Sequence, residues 1–592
     1  MKLCKNMAPC TVYGSLLSGY HDAILGMKVV SIPFLNQLIR SSMDNKRLFL
    51  SFIAAFLGLM IYQAWMDDYG AKPTVESIPR TTESVPSATL DDSGVPTASV
   101  KAELSATTSS DDQAGSTVAD IVYVETDLVK AEISTRGGTI QRLELLDYAV
   151  DNKKPDVKVQ LFSPAADTFY IAQSGLLGVN PESAPNHDAI YKIDQQSFKL
   201  TEGEDELKVS MLWSGPNGIT VKKEFIFHRG SYLIDVRHQV VNGGEESWTA
   251  RDYSQLQRTE PTEGSRFTTY SYTGGVYYTI DDKYSKITFE EMAEKSLNLD
   301  SAESWTAMIQ HYFVSAWIPP AEQIEHFYSN SLPGGRYLLG SYSPSTTVAA
   351  GETRSFDRKL FVGPKLQDVL EPIAKGLELT VDYGWLTVIA VPIHWVLKQI
   401  HQVVGNWGWA IIILTILIKA IFYKLSETSY KSMANMRKLT PRLQALKDRY
   451  GDDKQRLNQA MMDLYKTEKV NPLGGCLPIV VQIPVFIALY WVLLESVEMR
   501  HAPFMLWIDN LSAKDPYFVL PLIMGVSMFI QQKLNPAPPD PMQAKIMMSL
   551  PFIFTIFFAF FPAGLVLYWV VNNIVSITQQ WYITRKIEQG GS

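Results

Sequence analysis

The chain has 592 residues, 46% of them hydrophobic and 11% aromatic, and a formal net charge of -8. That length accommodates several domains, and the apolar fraction is high for a soluble protein of this size. Its cysteines, Cys4, Cys10 and Cys476, leave none between residues 71 and 405, so no disulfide is expected there. No His/Cys cluster has metal-ligand spacing and no nucleotide-binding motif is evident, so neither metal nor cofactor is expected, and no catalytic residue stands out.

Lys46 and Arg47 precede Leu48 to Trp65, an apolar stretch whose helical length of about 27 Å nearly matches the roughly 30 Å hydrocarbon core. Gln63, Trp65 and Met66 are bulky where a signal-peptide cleavage site needs small residues, so 43–66 reads as an uncleaved anchor with a cytoplasmic amino end. Residues 67–118, rich in Ser, Thr, Pro, Ala and Asp, cannot bury enough apolar surface to offset ordering entropy and read as a flexible tether.

From 119 to about 375 the pattern has period two. Leu207, Val209, Met211 and Trp213 alternate with polar residues, Gly215-Pro216-Asn217-Gly218 turns the chain, and Ile219, Val221, Phe225 and Phe227 follow. Tyr232, Ile234, Val236 and Val240 then lead to Asn242-Gly243-Gly244. Consecutive antiparallel strands with turn chemistry between them predict a large β-sandwich. Its scattered histidines read as structural or solvated rather than catalytic.

Leu379 to Val404 carries Trp385, Ile389, Ile393, Val396 and Ile400 at helical spacing, broken by Pro392, His394, Lys398 and His401, and predicts an amphipathic helix in the membrane interface. Five apolar spans follow, about Trp407 to Tyr423, Leu477 to Leu494, Tyr517 to Ile530, Ile546 to Phe561 and Leu565 to Trp581. With the anchor they predict six membrane helices and two cytoplasmic termini, in agreement with Arg585 and Lys586 after the last span. Between the first two of the five, residues 423 to 470 hold eleven Lys/Arg against six Asp/Glu, a local charge of +5 that places this loop in the cytoplasm. Met433, Met436, Leu439, Leu443, Leu446 and Tyr450 recur every three or four residues, Gly451 breaks the run, and Leu457, Met461 and Leu464 continue it. A helical hairpin over 424–470 is predicted, either with plainly solvated faces or as a landing surface for a ribosome or a nascent chain.

Lys419 directly follows Ile411 to Ile418 inside an apolar span, where an ionisable group is a functional candidate unless its stem snorkels toward Tyr423 and Lys424. Thr415 is one turn away on the same face, Gln482 lies in the next span, and Asn572 and Asn573 lie in the last. Polar groups in several spans suggest a shared wet cavity, and prolines 478, 484, 521 and 551 in or near short spans are tolerable beside one. Such a cavity suits a channel or transporter for a small anion, or a slide for polypeptides; a carbohydrate-active sandwich on an anchor is a third reading that leaves five polar-studded spans unexplained.

Lys466 to Tyr490, KTEKVNPLGGCLPIVVQIPVFIALY, with Asp509 to Tyr517, DPMQAKIM at Asp540 to Met547 and FPAGLVLYWVVNN at Phe561 to Asn573, resembles the YidC/Oxa family of membrane insertases. The resemblance runs from Met43 to about Lys586, which makes residues 1–42 an expected mis-assigned start or extension. It implies a sandwich similar to those of sugar mutarotases and, over 376–592, a five-helix core around a hydrophilic groove holding one cation. By motif match that cation is Lys419, with Thr415, Gln482, Tyr568, Trp569 and Asn572 on the groove wall. It further implies a non-enzymatic insertase and chaperone for nascent membrane proteins, working alone or with the Sec translocon and its accessory subunits, in contact with lipids and the ribosome and with no sequence-specific nucleic-acid binding. The substrate-receiving side of the hairpin is expected at Lys431, Met433, Met436, Arg437, Lys438 and Arg442. Relatives more often show arginine at the groove cation; a lysine there attracts as a point charge without the bidentate fork.

Overall fold

Period-two patterning from 206 to 242 produces what it demands, three antiparallel strands whose alternate residues turn inward. Val209 and Met211 of Glu206–Ser214 lie beside Val221, Phe225 and Phe227 of Ile219–His228 on the inner face, followed by Ile234, Val236 and Val240 of Leu233–Asn242. The first turn closes with Asn217 at φ 56° and Gly218 at φ 76°, left-handed values that suit Asn and Gly. The computed structural model describes residues 89–90, 96–97, 119–261, 272–451, 453–468, 470, 477–535 and 541–589. The expected extension, the anchor and residues 471–476 of the Lys466 to Tyr490 motif lie outside the described residues, as does most of the tether. Within that tether Thr89–Leu90 and Pro96–Thr97 pair as two short antiparallel strands, which composition alone did not call for.

The three strands belong to an eight-stranded sheet, continued beyond Leu233–Asn242 by Thr353–Pro364, Phe313–Ile318, Trp305–Ile309, Gly274–Thr279 and Lys283–Ile287. An eleven-stranded sheet faces it, with Trp248–Thr259 paired on one side with Tyr170–Gly178 and on the other with Arg336–Tyr342. Trp305, Trp317, Phe162, Phe225 and Phe361 fill the space between the two. Lys223 crosses it, its Nζ donating to the carbonyls of Gly137 at 2.7 Å and Ser174 at 2.8 Å, and burial pushes its pKa down to about 7. Arg358 is equally buried and is neutralised by Asp252 and by Glu325 at 2.9 Å, with further bonds to the hydroxyls of Ser254 and Ser341. The five histidines are all engaged: His187 with Tyr253, His228 with Asp235, His238 with Asp252, His311 with the Leu494 carbonyl and His326 with Asp300.

The C-terminal body is helical. We number its helices α1 (Thr387–Val404), α2 (Trp407–Ile421), α3 (Tyr423–Tyr450), α4 (Lys454–Thr467), α5 (Leu477–Glu495), α6 (Val519–Leu534), α7 (Pro541–Phe558) and α8 (Ala563–Gln589). α1 begins later than its apolar spacing predicts because Leu377–Thr380 and Gly384–Leu386 are short 3-10 turns and the Asp382 carboxylate accepts from the Gly384 N–H. α6 starts at Val519 because Asp515 accepts from the N–H groups of Tyr517 and Leu520 and Phe518 is left-handed, φ 57°. α3 and α4 form the predicted hairpin, closed by Arg442 on Glu468 and by a small core of Leu439, Leu443 and Val470.

Among the described residues no single helix is long and apolar enough to cross a membrane by itself; α2 and α3 pass together but bend by 66° at Phe422. α2, at 15 residues, and α6, at 16, are short, about 23 and 24 Å at 1.5 Å per residue. Asn572, Asn573, Ser576, Gln579 and Gln580 dilute the apolar character of α8. The body is nonetheless apolar outside. Trp409, Ile413, Ile416, Leu417 and Ile421 of α2, Leu522 and Val526 of α6 and Phe552, Ile553 and Ile556 of α7 are exposed, large apolar side chains of the kind that mark a membrane or partner surface.

Candidate functional site

α2 buries one face and exposes the other. Ala410, Ile411, Leu414 and Thr415 pack inward with Leu489 and Val492 of α5 and Val566 of α8 in the same cluster, while Ile413, Ile416 and Leu417 point away. Lys419 lies on the inward face, one turn from Thr415, and is 5% exposed. It does not snorkel. Its Nζ donates to the Ser576 hydroxyl of α8 at 2.8 Å and to the Gln482 Oε1 of α5 at 3.2 Å. Ser576 Oγ in turn donates to the carbonyl of Asn572 at 2.7 Å, one turn earlier on α8. Three helices thus converge on one ammonium that has hydrogen-bond partners but, in this contact, no carboxylate.

The remaining expected residues flank this point. The Thr415 hydroxyl donates to the Ile411 carbonyl at 2.7 Å and so offers no free donor. Asn573 turns the other way and donates to Ser527 Oγ of α6 at 3.0 Å. Tyr568 and Trp569 sit in an aromatic cluster with Phe486, at centroid distances of 5.9 and 4.6 Å, and Trp569 also meets Phe558. They form an apolar neighbour to the polar contact. The Gln482 Nε2 is buried without a hydrogen-bond partner, so this polar contact has an unused donor.

Ser576 and Gln580 are the residues that sequence reasoning missed. The signal was there: Asn572, Ser576, Gln580 and Thr584 recur every four residues, a polar stripe on successive turns of one helix.

The hairpin residues are dispersed. Lys431 pairs with Glu427 at 2.8 Å, Arg442 with Glu468 at 2.5 Å, and Arg437 donates to the Leu534 carbonyl at the end of α6, 2.9 Å away. Lys438 is exposed. Met436 packs onto the hairpin core and Met433 is half-buried. Among the described residues no group of His, Cys, Asp and Glu could hold a metal ion.

The sequence pattern of the family described as "YidC periplasmic domain" matches residues 121–396, and that described as "60Kd inner membrane protein" matches residues 399–590. The chain is 52% identical over 554 residues to the protein named "Membrane protein insertase YidC" of Methylococcus capsulatus, covering 92% of this chain and 99% of that one. It is 50% identical to the protein of the same name from Thioalkalivibrio sulfidiphilus, covering 93% and 100%. A solved structure described as an active YidC insertase with its first transmembrane domain resolved overlaps 79% of this chain and 95% of that one at 19% identity and TM-score 0.36. A galactose mutarotase related enzyme from Lactobacillus acidophilus overlaps 41% and 97% at 9% identity and TM-score 0.28.

Proposed function

Because the chain belongs to the YidC family and is a membrane protein insertase of the bacterial inner membrane with a periplasmic sandwich, we propose that the Lys419 contact is where it receives a substrate. Its substrates are nascent membrane proteins. The observation that carries the proposal is the inversion of polarity in the helical body, with apolar side chains outward and Lys419, Gln482 and Ser576 bonded together inside. An ammonium in such a place attracts the acidic or polar tail of a nascent segment, which costs several kcal/mol to move through hydrocarbon unaided. Short α2 and α6 thin the bilayer beside it, and the following apolar segment then partitions into lipid. No bond in the substrate is made or broken, so the process is non-enzymatic and driven by partitioning and the membrane potential.

In this reading the anchor 43–66 and helices α2, α5, α6, α7 and α8 make six membrane spans with both termini cytoplasmic, 67–118 tethers the sandwich 119–375, and 376–592 is the insertase core. The basic hairpin at Lys431, Met433, Met436, Arg437, Lys438 and Arg442 meets the nascent chain and the ribosome first. Tyr568, Trp569 and Asn572 line the path beside Thr415, and the Sec translocon shares larger substrates. A photo-crosslinker placed in turn at 415, 482 and 572, against lipid-facing 413 and 552, tests this on a ribosome-stalled substrate. Adducts at the first three and weak ones at the last two are expected. Equal labelling at all five positions refutes the assignment.

A further inference from the structure

On the same stripe of α8, one turn beyond Ser576, a cavity of about 360 Å³ opens between α3, the end of α6 and α8. Arg437, Leu534, Gln580, Trp581, Thr584 and Arg585 line it, two guanidiniums with no carboxylate among the described lining residues. α6 ends there, and its Leu534 carbonyl accepts from Arg437 Nη2 at 2.9 Å and from Gln580 Nε2 at 3.2 Å. Gln580 Nε2 also donates to Asn535 Oδ1 at 3.1 Å. This commits the amide nitrogen and fixes which way the amide points. Gln580 Oε1 is then left buried without a partner, on a residue 4% exposed. A buried acceptor without a donor is costly and marks a place for a group that brings one. The Arg585 guanidinium lies over the Trp581 ring, 5.3 Å from its centroid, and Trp581 and Tyr582 are exposed as aromatic residues at a membrane–water boundary are.

We infer that this cavity holds the headgroup of an anionic phospholipid that also carries hydroxyl donors, a phosphatidylglycerol. The phosphate sits between Arg437 and Arg585, and a glycerol hydroxyl donates to Gln580 Oε1. Basic pockets between membrane helices favour such headgroups, and the volume is in the range of a small-ligand site. A phosphatidylethanolamine brings an ammonium that two guanidiniums repel. A phosphatidic acid brings the phosphate without the glycerol. The cytoplasmic position of the lipid rests on the orientation proposed above; binding itself does not, and the test reads binding without insertion.

The test is native mass spectrometry of the delipidated full chain in detergent, titrated separately with phosphatidylglycerol, phosphatidylethanolamine, phosphatidic acid and soluble glycerol 3-phosphate. Phosphatidylglycerol is expected to bind at least about tenfold more tightly than phosphatidylethanolamine, because both bring a phosphate but only the latter brings an ammonium for the two guanidiniums to repel. Arg437→Gln with Arg585→Gln removes that preference, Arg585→Lys keeps most of it, and Gln580→Leu weakens phosphatidylglycerol severalfold while leaving phosphatidic acid, which has no headgroup glycerol to lose, unchanged. Arg585→Gln alone, at an exposed side chain, carries the test should the double variant fail to fold. Equal binding of the glycerol and ethanolamine lipids to the unaltered protein, or full phosphatidylglycerol binding by folded arginine variants, overturns the inference. So does glycerol 3-phosphate binding as tightly as the lipid, which would make this a site for a soluble anion.

Discussion

Lys365 and Glu495 form an ion pair, Nζ to Oε2 3.3 Å, in which the two side chains are 2% and 5% exposed. Lys365 directly follows the last sandwich strand and Glu495 is the last residue of α5, so the pair pins the sandwich to the helix that carries Gln482. The Thr380 carbonyl accepts from the same ammonium at 3.2 Å, and His311 Nε2 lies 2.9 Å from the neighbouring carbonyl of Leu494.

Removing one partner of this pair strands the other in a dry place. Lys365→Met is expected to destabilise the protein by about 3 to 5 kcal/mol, whereas Lys365→Met combined with Glu495→Met should recover most of the loss. Thermal unfolding of both variants in detergent measures this. A single variant as stable as the parent would mean the pair contributes nothing.

Acid should loosen the same junction through His311. Burial pushes its pKa down to about 4, with the Lys365 charge adding to the effect. An unfolded histidine takes its proton near pH 6.5, so below that the unfolded chain binds a proton that the folded one refuses until about pH 4. Stability is therefore lost as pH falls from about 6.5 to 4, by at most about 3 to 4 kcal/mol. His311→Gln should flatten this slope while keeping a donor toward Leu494, and a pH series of melting temperatures reads the difference.

The Lys419 charge should matter in proportion to the charge on the substrate. Lys419→Arg is expected to keep activity, Lys419→Ala to slow acidic-tailed substrates on the order of tenfold, and Lys419→Glu to be worst, because a charge pair in a partly wet site gains about 4 kcal/mol before desolvation takes back its share. Neutral-tailed substrates should be slowed less. Insertion rates of paired substrates differing only in Asp and Glu content in the tail decide it; equal rates for Lys419→Ala would reduce the lysine to a packing element.

The hairpin should act through its field. Replacing Lys431, Lys438 and Arg442 by glutamine removes attraction without setting new carboxylates against Glu427 and Glu468. Insertion is expected to slow severalfold at low salt and to converge with the parent at about 0.5 M, where the Debye length shrinks to a few ångströms. A rate difference independent of salt would point to lost hairpin stability instead.

Much of this was readable from the residues alone. The strands about 219–227 and 233–240, the turn at Asn217-Gly218, the hairpin broken at Gly451 and the helices around Lys419, Gln482 and Asn572 follow from local rules, since period, turn chemistry and capping act over a few residues. Helix starts were less so: α6 begins two residues late because Asp515 reaches forward to cap it, and α7 begins at Pro541, five residues ahead of the apolar run.

What a polar residue touches is a different kind of fact. Sequence marked Lys419, Gln482 and Asn572 as candidates, but could not say that Lys419 reaches Ser576 and not Asn572, that Asn573 turns toward Ser527, or that Tyr568 and Trp569 stack on Phe486. Nor could it pair Lys365 with Glu495 across 130 positions. Secondary structure depends on neighbours along the chain, which the sequence states outright. Such contacts depend on the rotation of each helix about its axis and on which faces meet, and those are settled only when the whole apolar surface of the fold is packed.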